Sequence, residues 1–189
     1  MYISFTWNVN VLIFKFQLKM SDPVIVESVK GIGLKVKLAL RYKKYEYIGN
    51  DLVALCANEI VSSGAKPLAF LDYIACGKLV VPVAAQIVKG IADSCRSINC
   101  ALLGGETAEM PSVFRIGSYD LAGYCMGVVN YDGILPTLDS FEDGDVVLGL
   151  LADGLHCDGF EIIQDIIEST HTSYNDYISQ FKRNLGKHC

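Results

Sequence analysis

The fold class is indicated most clearly by residues 68–107, LAFLDYIACGKLVVPVAAQIVKGIADSCRSINCALLGGET. The first part of this stretch, Leu68–Tyr73, is almost wholly apolar, which is typical of a buried strand, and it carries Asp72 near its end. Pro82 suits the first turn of a helix, and the apolar residues after it recur at helical spacing. Cys100–Leu103 is a second apolar run. Strand, helix and strand in this order predict an α/β domain rather than a bundle or a sandwich.

The same alternation continues on both sides of this stretch. The paired glycines of Gly31-Ile32-Gly33 predict a turn, and Gly64 ends a helix for which Asp51 can serve as the N-cap. Further strands are expected at Pro23–Val26, Asp120–Val129 and Val146–Leu151, and helices at Lys35–Lys44, Asp51–Ser63 and Gly159–Glu168. The chain is therefore expected to hold one α/β domain with a continuous core.

The two ends of the chain do not follow this alternation. Met1–Met20 is apolar but broken by polar residues, and it is too short to span a membrane. An edge strand and an atypical leader outside the fold are the two interpretations of it. Residues 169–189 are polar and lack a clear apolar stripe, which predicts a loose tail. The domain is therefore expected to occupy residues 21–168.

Composition narrows the class of partner. The chain has 189 residues, of which 51% are hydrophobic and 20% charged, and this balance argues against disorder. A formal net charge of −5 disfavours a surface for nucleic acid or acidic lipid, so we expect a small-molecule partner, no nucleic acid and no membrane. Seven cysteines, mostly within apolar runs, predict free buried thiols in a reducing compartment, the cytoplasm.

Glycines and acids collect directly after predicted strands. Gly104-Gly105-Glu106-Thr107 follows one strand, Asp72 ends another, and Asp51 begins a helix. Glycine lets a backbone approach a phosphate closely, and carboxylates hold the Mg²⁺ that neutralises it. A magnesium–nucleotide site is one interpretation, while a tight turn, a turn aspartate and a helix cap are the others. His156 fits a functional side chain, a core histidine or a cap, and spacing alone leaves these alternatives open.

Five stretches, in this order, resemble the signature of one family. They are IGNDLVALCANE (residues 48–59), FLDYIACGKL (70–79), CALLGGETAEMP (100–111), YDLAG (119–123) and GLH (154–156). The family is phosphoribosylformylglycinamidine cyclo-ligase, or aminoimidazole ribonucleotide synthetase, which occurs alone or within a trifunctional purine biosynthetic protein. The resemblance is to its N-terminal ATP-binding domain and runs from Pro23 to Glu168. Residues 100–111 match the family's most specific block residue for residue.

The resemblance implies both a fold and a reaction. The fold is an α/β (α+β) domain with a mixed sheet and helices packed on one face, and sheets of two such domains pair in a homodimer. The reaction is the ATP-dependent ring closure of formylglycinamidine ribonucleotide to aminoimidazole ribonucleotide, with Mg²⁺ as the second cofactor. ATP would phosphorylate the formyl amide oxygen, and the neighbouring nitrogen would then close the imidazole ring.

The site residues carry over from the family position by position. His156 matches a histidine on the substrate side and is the implied catalytic residue. The implied metal ligands are Asp51, Asp72 and Glu106, which would contact the nucleotide together with Gly104, Gly105 and Thr107.

The chain also departs from the family pattern. Lys30 and Glu59 each stand where the family has aspartate, Leu34 replaces a threonine, and Cys157-Asp158 replaces Ser-Asn. A cation in place of an acid beside Mg²⁺ reverses a local charge and is expected to weaken metal binding. Residues 1–20 do not match the family's glycine-rich nucleotide segment, and its C-terminal domain is not represented after residue 168. A non-catalytic dimerising or interaction remnant of the same family is therefore the alternative function.

Overall fold

The computed structural model describes residues 7–8, 11–12, 19–137, 141–152, 154–180 and 182–188. The strands are β1 (Trp7–Asn8), β2 (Val11–Leu12), β3 (Pro23–Gly31), β4 (Lys66–Cys76), β5 (Ala101–Glu109), β6 (Tyr119–Asn130), β7 (Tyr177–Ile178) and β8 (Arg183–Asn184). The helices are α1 (Lys35–Tyr42), α2 (Tyr45–Ser62), α3 (Val81–Ser97), α4 (Phe160–Ser169) and α5 (Leu185–His188), with a short 3-10 turn at Tyr131–Gly133.

A four-stranded mixed sheet forms the centre of the fold, in the order β3-β6-β4-β5. Strands β4 and β5 are parallel because α3 connects them, whereas β6 runs antiparallel to both β3 and β4. The strand–helix–strand unit and the α/β class expected from residues 68–107 are confirmed. The mixed sheet with helices on one face is confirmed as well.

Helices α1, α2 and α3 share one core with one face of the sheet, here called the helix face. A Cβ atom built at Gly123 of β6 would meet Leu52 and Cys56 of α2, each at 3.1 Å, which places α2 directly over this strand. Phe70 and Ile74 of β4 point the same way and are 0% and 1% exposed. Residues of α3, including Ile87 and Ile91, belong to the same buried cluster.

Two glycines allow α2 and α3 to pack closely, and one of them explains an error in the predicted helix. A Cβ at Gly49 would collide with the backbone of Ile87, and one at Gly90 would collide with the backbone of Glu46. Gly49 thus lies inside α2, which begins at Tyr45 and not at Asp51. The prediction that Asp51 caps this helix is wrong, because glycine here serves helix packing and does not break the helix.

Two other local expectations are corrected. Residues 104–107 lie within β5 and not in a turn after it, because this segment pairs with β4 up to Cys76↔Glu109. Leu103 is the extra residue of a bulge, and the strand continues past it. Val146–Leu151 takes no regular structure, since no neighbouring strand pairs with it in the described residues, and Val147 and Leu150 are fully exposed.

The C-terminal residues are more ordered than a loose tail. Tyr174 is 8% exposed and packs with Leu38, Phe160 and Ile167 in a second buried cluster between α1 and α4. Strands β7 and β8 form a small antiparallel pair. At the other end, β1 pairs with β2 in a separate sheet, and the remaining expectations for Met1–Met20 fall largely outside the described residues. The domain limits 21–168 stay a prediction.

The face of the central sheet opposite the helices, here called the open face, carries apolar side chains. Ile25 and Val29 of β3 are 62% and 68% exposed, and Tyr73 of β4 is 37% exposed. Strand register places Tyr124 of β6 between Val29 and Leu71, on the same face. In the described residues, no helix is long and apolar enough to cross a membrane.

Candidate functional site

Asp72 lies in the middle of β4 on the helix face, between two glycines of the neighbouring strands. It is in register with Gly105 of β5 and Gly123 of β6. A Cβ atom at Gly105 would stand 2.6 Å from both Cγ and Oδ1 of Asp72, so the missing side chain at Gly105 leaves the space that the carboxylate occupies. Burial raises the pKa of Asp72 above its usual value, while a hydrogen bond from its own backbone lowers it in part.

The two polar side chains of residues 104–107 lie on opposite faces of the sheet, and only one of them shares the face of Asp72. Thr107 is in register with Ile74 and therefore lies on the helix face, as Asp72 does. Glu106 is in register with Tyr73, so it lies on the open face. The structure thus brings Asp72, Gly105 and Thr107 together and separates Glu106 from them.

Asp51 lies within α2, where it forms an ion pair with a buried lysine. Lys35 Nζ is 2.9 Å from Asp51 Oδ2 and donates a hydrogen bond of 2.6 Å to the carbonyl oxygen of Leu155. The side chain of Lys35 is only 10% exposed and that of Asp51 is 26% exposed. Asp51 and Asp72 share the helix side of the sheet, since Leu52 lies over Gly123, the register neighbour of Asp72.

His156 follows Leu155 in the segment Gly154–Gly159 and is exposed to solvent. The next residue, Cys157, is 8% exposed and lies beside Asp51. Burial raises the pKa of the Cys157 thiol to about 12, and the Asp51 carboxylate adds to the rise. His156 is thus a surface residue whose two chain neighbours contact the Lys35–Asp51 pair.

Two of the departures from the family pattern contact each other. Lys30 Nζ lies 2.5 Å from Glu59 Oε1, and Ser28 Oγ donates a hydrogen bond of 2.7 Å to Glu59 Oε2. The hydrogen bond from Lys30, followed by that from Ser28, lowers the pKa of Glu59. The lysine is therefore compensated locally by the acid at position 59.

The arrangement offers few ligands for a metal ion. In the part of the chain that the structure describes, no group of three or more His, Cys, Asp or Glu side chains is arranged to hold one. Asp51, Asp72 and Glu106 therefore do not form a closed ligand set, and their joint assignment to a metal stays a prediction. Glu109 of β5 is engaged elsewhere, because its Oε2 accepts a 2.7 Å hydrogen bond from the Leu79 backbone N–H, just before α3.

Sequence reasoning did not find Lys35. A signal was present, because Lys35 shares one helical stripe with the buried Leu38 and Ala39 at spacings of three and four. A lysine on an apolar stripe needs a partner for its charge. The partner could not be named from the sequence, since Leu155 lies 120 residues away. All six cysteines of the described residues are free and buried, as expected.

Comparison with known proteins identifies the family. The family model described as AIR synthase related protein, N-terminal domain, matches residues 13–129, which is more than half of the chain. The chain belongs to this family. The resemblance on which the sequence interpretation rested is thereby confirmed, and Asp51, Asp72 and the block around Gly105 all lie within the matched residues of this AIR synthase related chain.

Curated relatives share about half of the aligned residues. The trifunctional purine biosynthetic protein adenosine-3 of Drosophila melanogaster is 54% identical over 154 residues, which cover 81% of this chain and 11% of the relative. The phosphoribosylformylglycinamidine cyclo-ligase of Thermoanaerobacter pseudethanolicus is 45% identical over 166 residues, covering 87% of this chain and 49% of the relative. That of Clostridium botulinum is 48% identical over 156 residues, covering 82% and 47%. The chain thus spans about half the length of these cyclo-ligases and a smaller part of the trifunctional protein.

Solved structures of low identity share the fold. A thiamine-monophosphate kinase from Stenotrophomonas maltophilia matches with a TM-score of 0.54 at 15% identity, covering 69% of this chain and 39% of that chain. The Thermus thermophilus protein tt0281 matches with a TM-score of 0.51 at 20% identity, covering 60% and 35%. At these identities the likeness concerns the fold alone.

Proposed function

We propose that this chain is the ATP-binding half of a phosphoribosylformylglycinamidine cyclo-ligase, acting in purine biosynthesis in the cytoplasm. The observation that carries the proposal is the half-buried Asp72 carboxylate, which lies on Gly105 of the family's most specific block. The substrate is formylglycinamidine ribonucleotide, and the product is aminoimidazole ribonucleotide. Family membership and the names of the curated relatives support this assignment.

The nucleotide would bind on the helix side of the sheet. The backbone of Gly105 and the Thr107 side chain are exposed, and Thr107 lies on the same side as Asp72, where a phosphate could approach them. Asp51 lies on that side too, although Lys35 already neutralises its charge. Gly104 adjoins the bulge, where its φ of 148° is one that residues with a side chain rarely adopt.

The residues on this side fit a magnesium ion that is held mainly by the nucleotide. Mg²⁺ in nucleotide sites is bound by one or two carboxylates, and phosphate oxygens and water complete its shell. Asp72 is the leading protein ligand and Asp51 the second, whereas Glu106 lies on the other face. When bound, Mg²⁺ would stabilise the charge on the transferred phosphoryl group.

His156 would contact the substrate. It is exposed and directly precedes Cys157, which lies beside Asp51 on the proposed nucleotide side. Its role there is to hold the reacting amide or to move a proton during ring closure. The rest of the substrate cleft would come from sequence that corresponds to the other half of the cyclo-ligases.

A chimera tests this function. Residues 23–168 would replace the corresponding half of the Thermoanaerobacter cyclo-ligase, and aminoimidazole ribonucleotide formation would be measured with ATP, Mg²⁺ and substrate. We expect turnover by the chimera and its loss in the Asp72→Asn chimera, because Asp72 would no longer supply a charged oxygen to the metal. A chimera that melts cooperatively yet neither binds ATP nor forms product would refute the proposal.

The open face supports a second candidate, a non-catalytic dimerising remnant. Ile25, Val29 and Tyr73 present apolar surface there, and such a patch on a sheet is suited to a second copy of the chain. The Lys30–Glu59 pair is consistent with a site that has lost part of its metal chemistry. A homodimer through this face is proposed under either function.

Light scattering tests the homodimer. The wild-type chain is expected to elute as a dimer, and Val29→Glu is expected to shift it to monomer because a charge would be buried at the interface. Val113→Glu is the matched control, since Val113 is equally exposed but lies outside the sheet. A monomeric wild-type chain, or equal effects of both substitutions, would exclude this interface.

A further inference from the structure

We propose that Lys35 is a positioning residue that clamps the segment Gly154–Gly159, and with it His156, onto α2. The segment itself has neither helix nor strand, and His156 is exposed. The turn hydrogen bond from the Phe160 N–H to the Cys157 carbonyl oxygen comes after His156 in the chain, and it leaves the residues before Cys157 to be fixed by other contacts. Side-chain contacts from other elements must therefore fix them, and Lys35 provides the central one.

The clamp is a three-way contact made by one ammonium group. Lys35 Nζ donates to the carbonyl oxygen of Leu155 at 2.6 Å, directly before His156, and pairs with Asp51 of α2 at 2.9 Å. Lys35 is itself 8% exposed, so the contact is largely shielded from water. A buried ammonium is costly without partners, which commits Lys35 to these two oxygens.

Residues on either side of His156 are held as well. Cys157 is 8% exposed beside Asp51, so the chain turns inward directly after His156. Glu59 is the main cause of the raised pKa of Lys30, and the negative charge of Asp158 makes a smaller contribution, so Asp158 lies near Lys30. Two lysines thus attract the segment. Lys30, at the end of β3, attracts it by charge, and Lys35, at the start of α1, donates a hydrogen bond to Leu155.

Asp51 thereby has a role in the clamp besides its proposed place as the second magnesium ligand. Its carboxylate pairs with the ammonium group that donates to the Leu155 carbonyl oxygen, so a single side chain joins α1, α2 and the His156 segment. The contact of His156 with substrate rests on the proposed function, but the clamp of Lys35 on the segment does not. The two can therefore fail separately.

Cysteine labelling measures the clamp in the full chain. Peptide mass spectrometry would follow alkylation of Cys157 with iodoacetamide under native conditions, with Cys56 and Cys125 as internal references, since both are 0% exposed in the main core. Lys35→Met is expected to accelerate labelling of Cys157 about tenfold or more, because the segment opens locally, and to leave Cys56 and Cys125 within about twofold. Lys37→Met, on the exposed side of the same helix, is expected to change nothing.

Two further measurements separate positioning from general stability. The ring signals of His156 in an NMR spectrum are expected to shift in Lys35→Met and to return toward wild type in Lys35→Arg, which keeps a charged donor. If Lys35→Met does not fold, Asp51→Asn is expected to accelerate amide hydrogen exchange in residues 154–159 and to leave exchange in the main core unchanged, a readout that does not depend on the pKa of the Cys157 thiol. Equal acceleration at Cys157, Cys56 and Cys125, or unchanged labelling and ring signals, would overturn the clamp. Each readout is taken without nucleotide, so a chain that fails to bind Mg-ATP still tests it.

Discussion

At the scale of single residues, Asp72 is partly buried, which destabilises its charged form, and it is also the proposed leading ligand of magnesium. Its carboxylate is half-buried against Gly105, and burial raises its pKa. A carboxyl whose pKa is higher in the folded than in the unfolded state binds its proton more tightly when folded. Stability therefore falls as pH rises from the unfolded value of 3.8 through the folded one, and the ionised form is disfavoured at neutral pH. Perturbed pKa values of this kind are common in functional sites.

Asp72→Asn is accordingly expected to raise Tm at neutral pH by at most a few degrees, since solvent partly screens the carboxyl. The gain should disappear below the unfolded pKa, where wild type is protonated in both states. Thermal melts from pH 3 to 8 check this, with Asp132→Asn, at an exposed position, as the control. A lower Tm at pH 7 for Asp72→Asn would contradict the burial argument.

Lys30→Met tests the compensating ion pair. The lowered pKa of Glu59 stabilises the fold above its ordinary value of 4.5, and this is lost as pH falls through the folded pKa. The raised pKa of Lys30 stabilises the fold below 10.5, and this is lost as pH rises through the folded pKa. The Tm of Lys30→Met should therefore be slightly lower than that of wild type between pH 4.5 and 10.5, and the two Tm values should converge at lower and at higher pH. A Tm difference that does not depend on pH, or one shared by Lys37→Met, would exclude the pair as its source.

The sequence predicted some of the spatial arrangement of the candidate site and missed the rest for physical reasons. Asp72 and Gly105 were identified by their motifs, and register brings them together. The separation of Glu106 could not be predicted, because it depends on the bulge at Leu103, which shifts the register by one residue. The Lys35–Leu155 contact joins distant parts of the chain, and residue patterns carry no information on such pairs.

At the scale of elements, the helix and strand types were predicted better than their ends. β4, α3, β6 and α4 were located by apolar periodicity, which reports directly on burial. The strand expected at Val146–Leu151 was wrong because no neighbouring strand pairs with it in the described residues, and two other errors arose where glycines serve tertiary structure instead of a local break. Gly49 looked like a helix boundary and is a contact point for α3, and the two glycines of β5 looked like a turn and lie in a strand.

Gly105→Ala tests the packing between β4 and β5. A methyl group there would meet the backbone and the carboxylate of Asp72, and overpacking of this kind costs about 1–3 kcal/mol. Denaturant unfolding should show a loss of this size. Gly149→Ala is the control, because nothing lies within 4 Å of its added Cβ. Equal stabilities for the two variants would show that Asp72 does not occupy the space above Gly105.

The exposed run at residues 146–151 makes a prediction about solubility. Val147, Leu150 and Leu151 are fully exposed and contribute no buried area, so replacing two of them should leave Tm unchanged. The double variant Val147→Lys/Leu150→Lys is expected to reduce concentration-dependent light scattering, while Val113→Lys, at an isolated exposed site, should not. A drop in Tm for the double variant would mean that this run is packed in solution.

At the scale of the whole molecule, the α/β class and the family followed from the sequence, and the structure adds how the two faces of the sheet differ. One face is covered by helices and holds Asp72, Thr107 and the Lys35–Asp51 pair. The other is open and apolar, as an interface would be. The proposed nucleotide site and the proposed dimer interface thus lie on opposite sides of one sheet, and we expect substitutions in one to leave the other unchanged.

Calorimetric titration with Mg-ATP, carried out in parallel on the wild-type and Asp72→Asn chains, measures whether the helix side of the sheet binds the magnesium–nucleotide complex with Asp72 as its leading carboxylate. We expect saturable one-to-one binding by wild type and binding at least about tenfold weaker, a difference of about 1.4 kcal/mol, by the variant. No binding by a folded wild-type chain, or equal binding by both chains, would contradict this expectation.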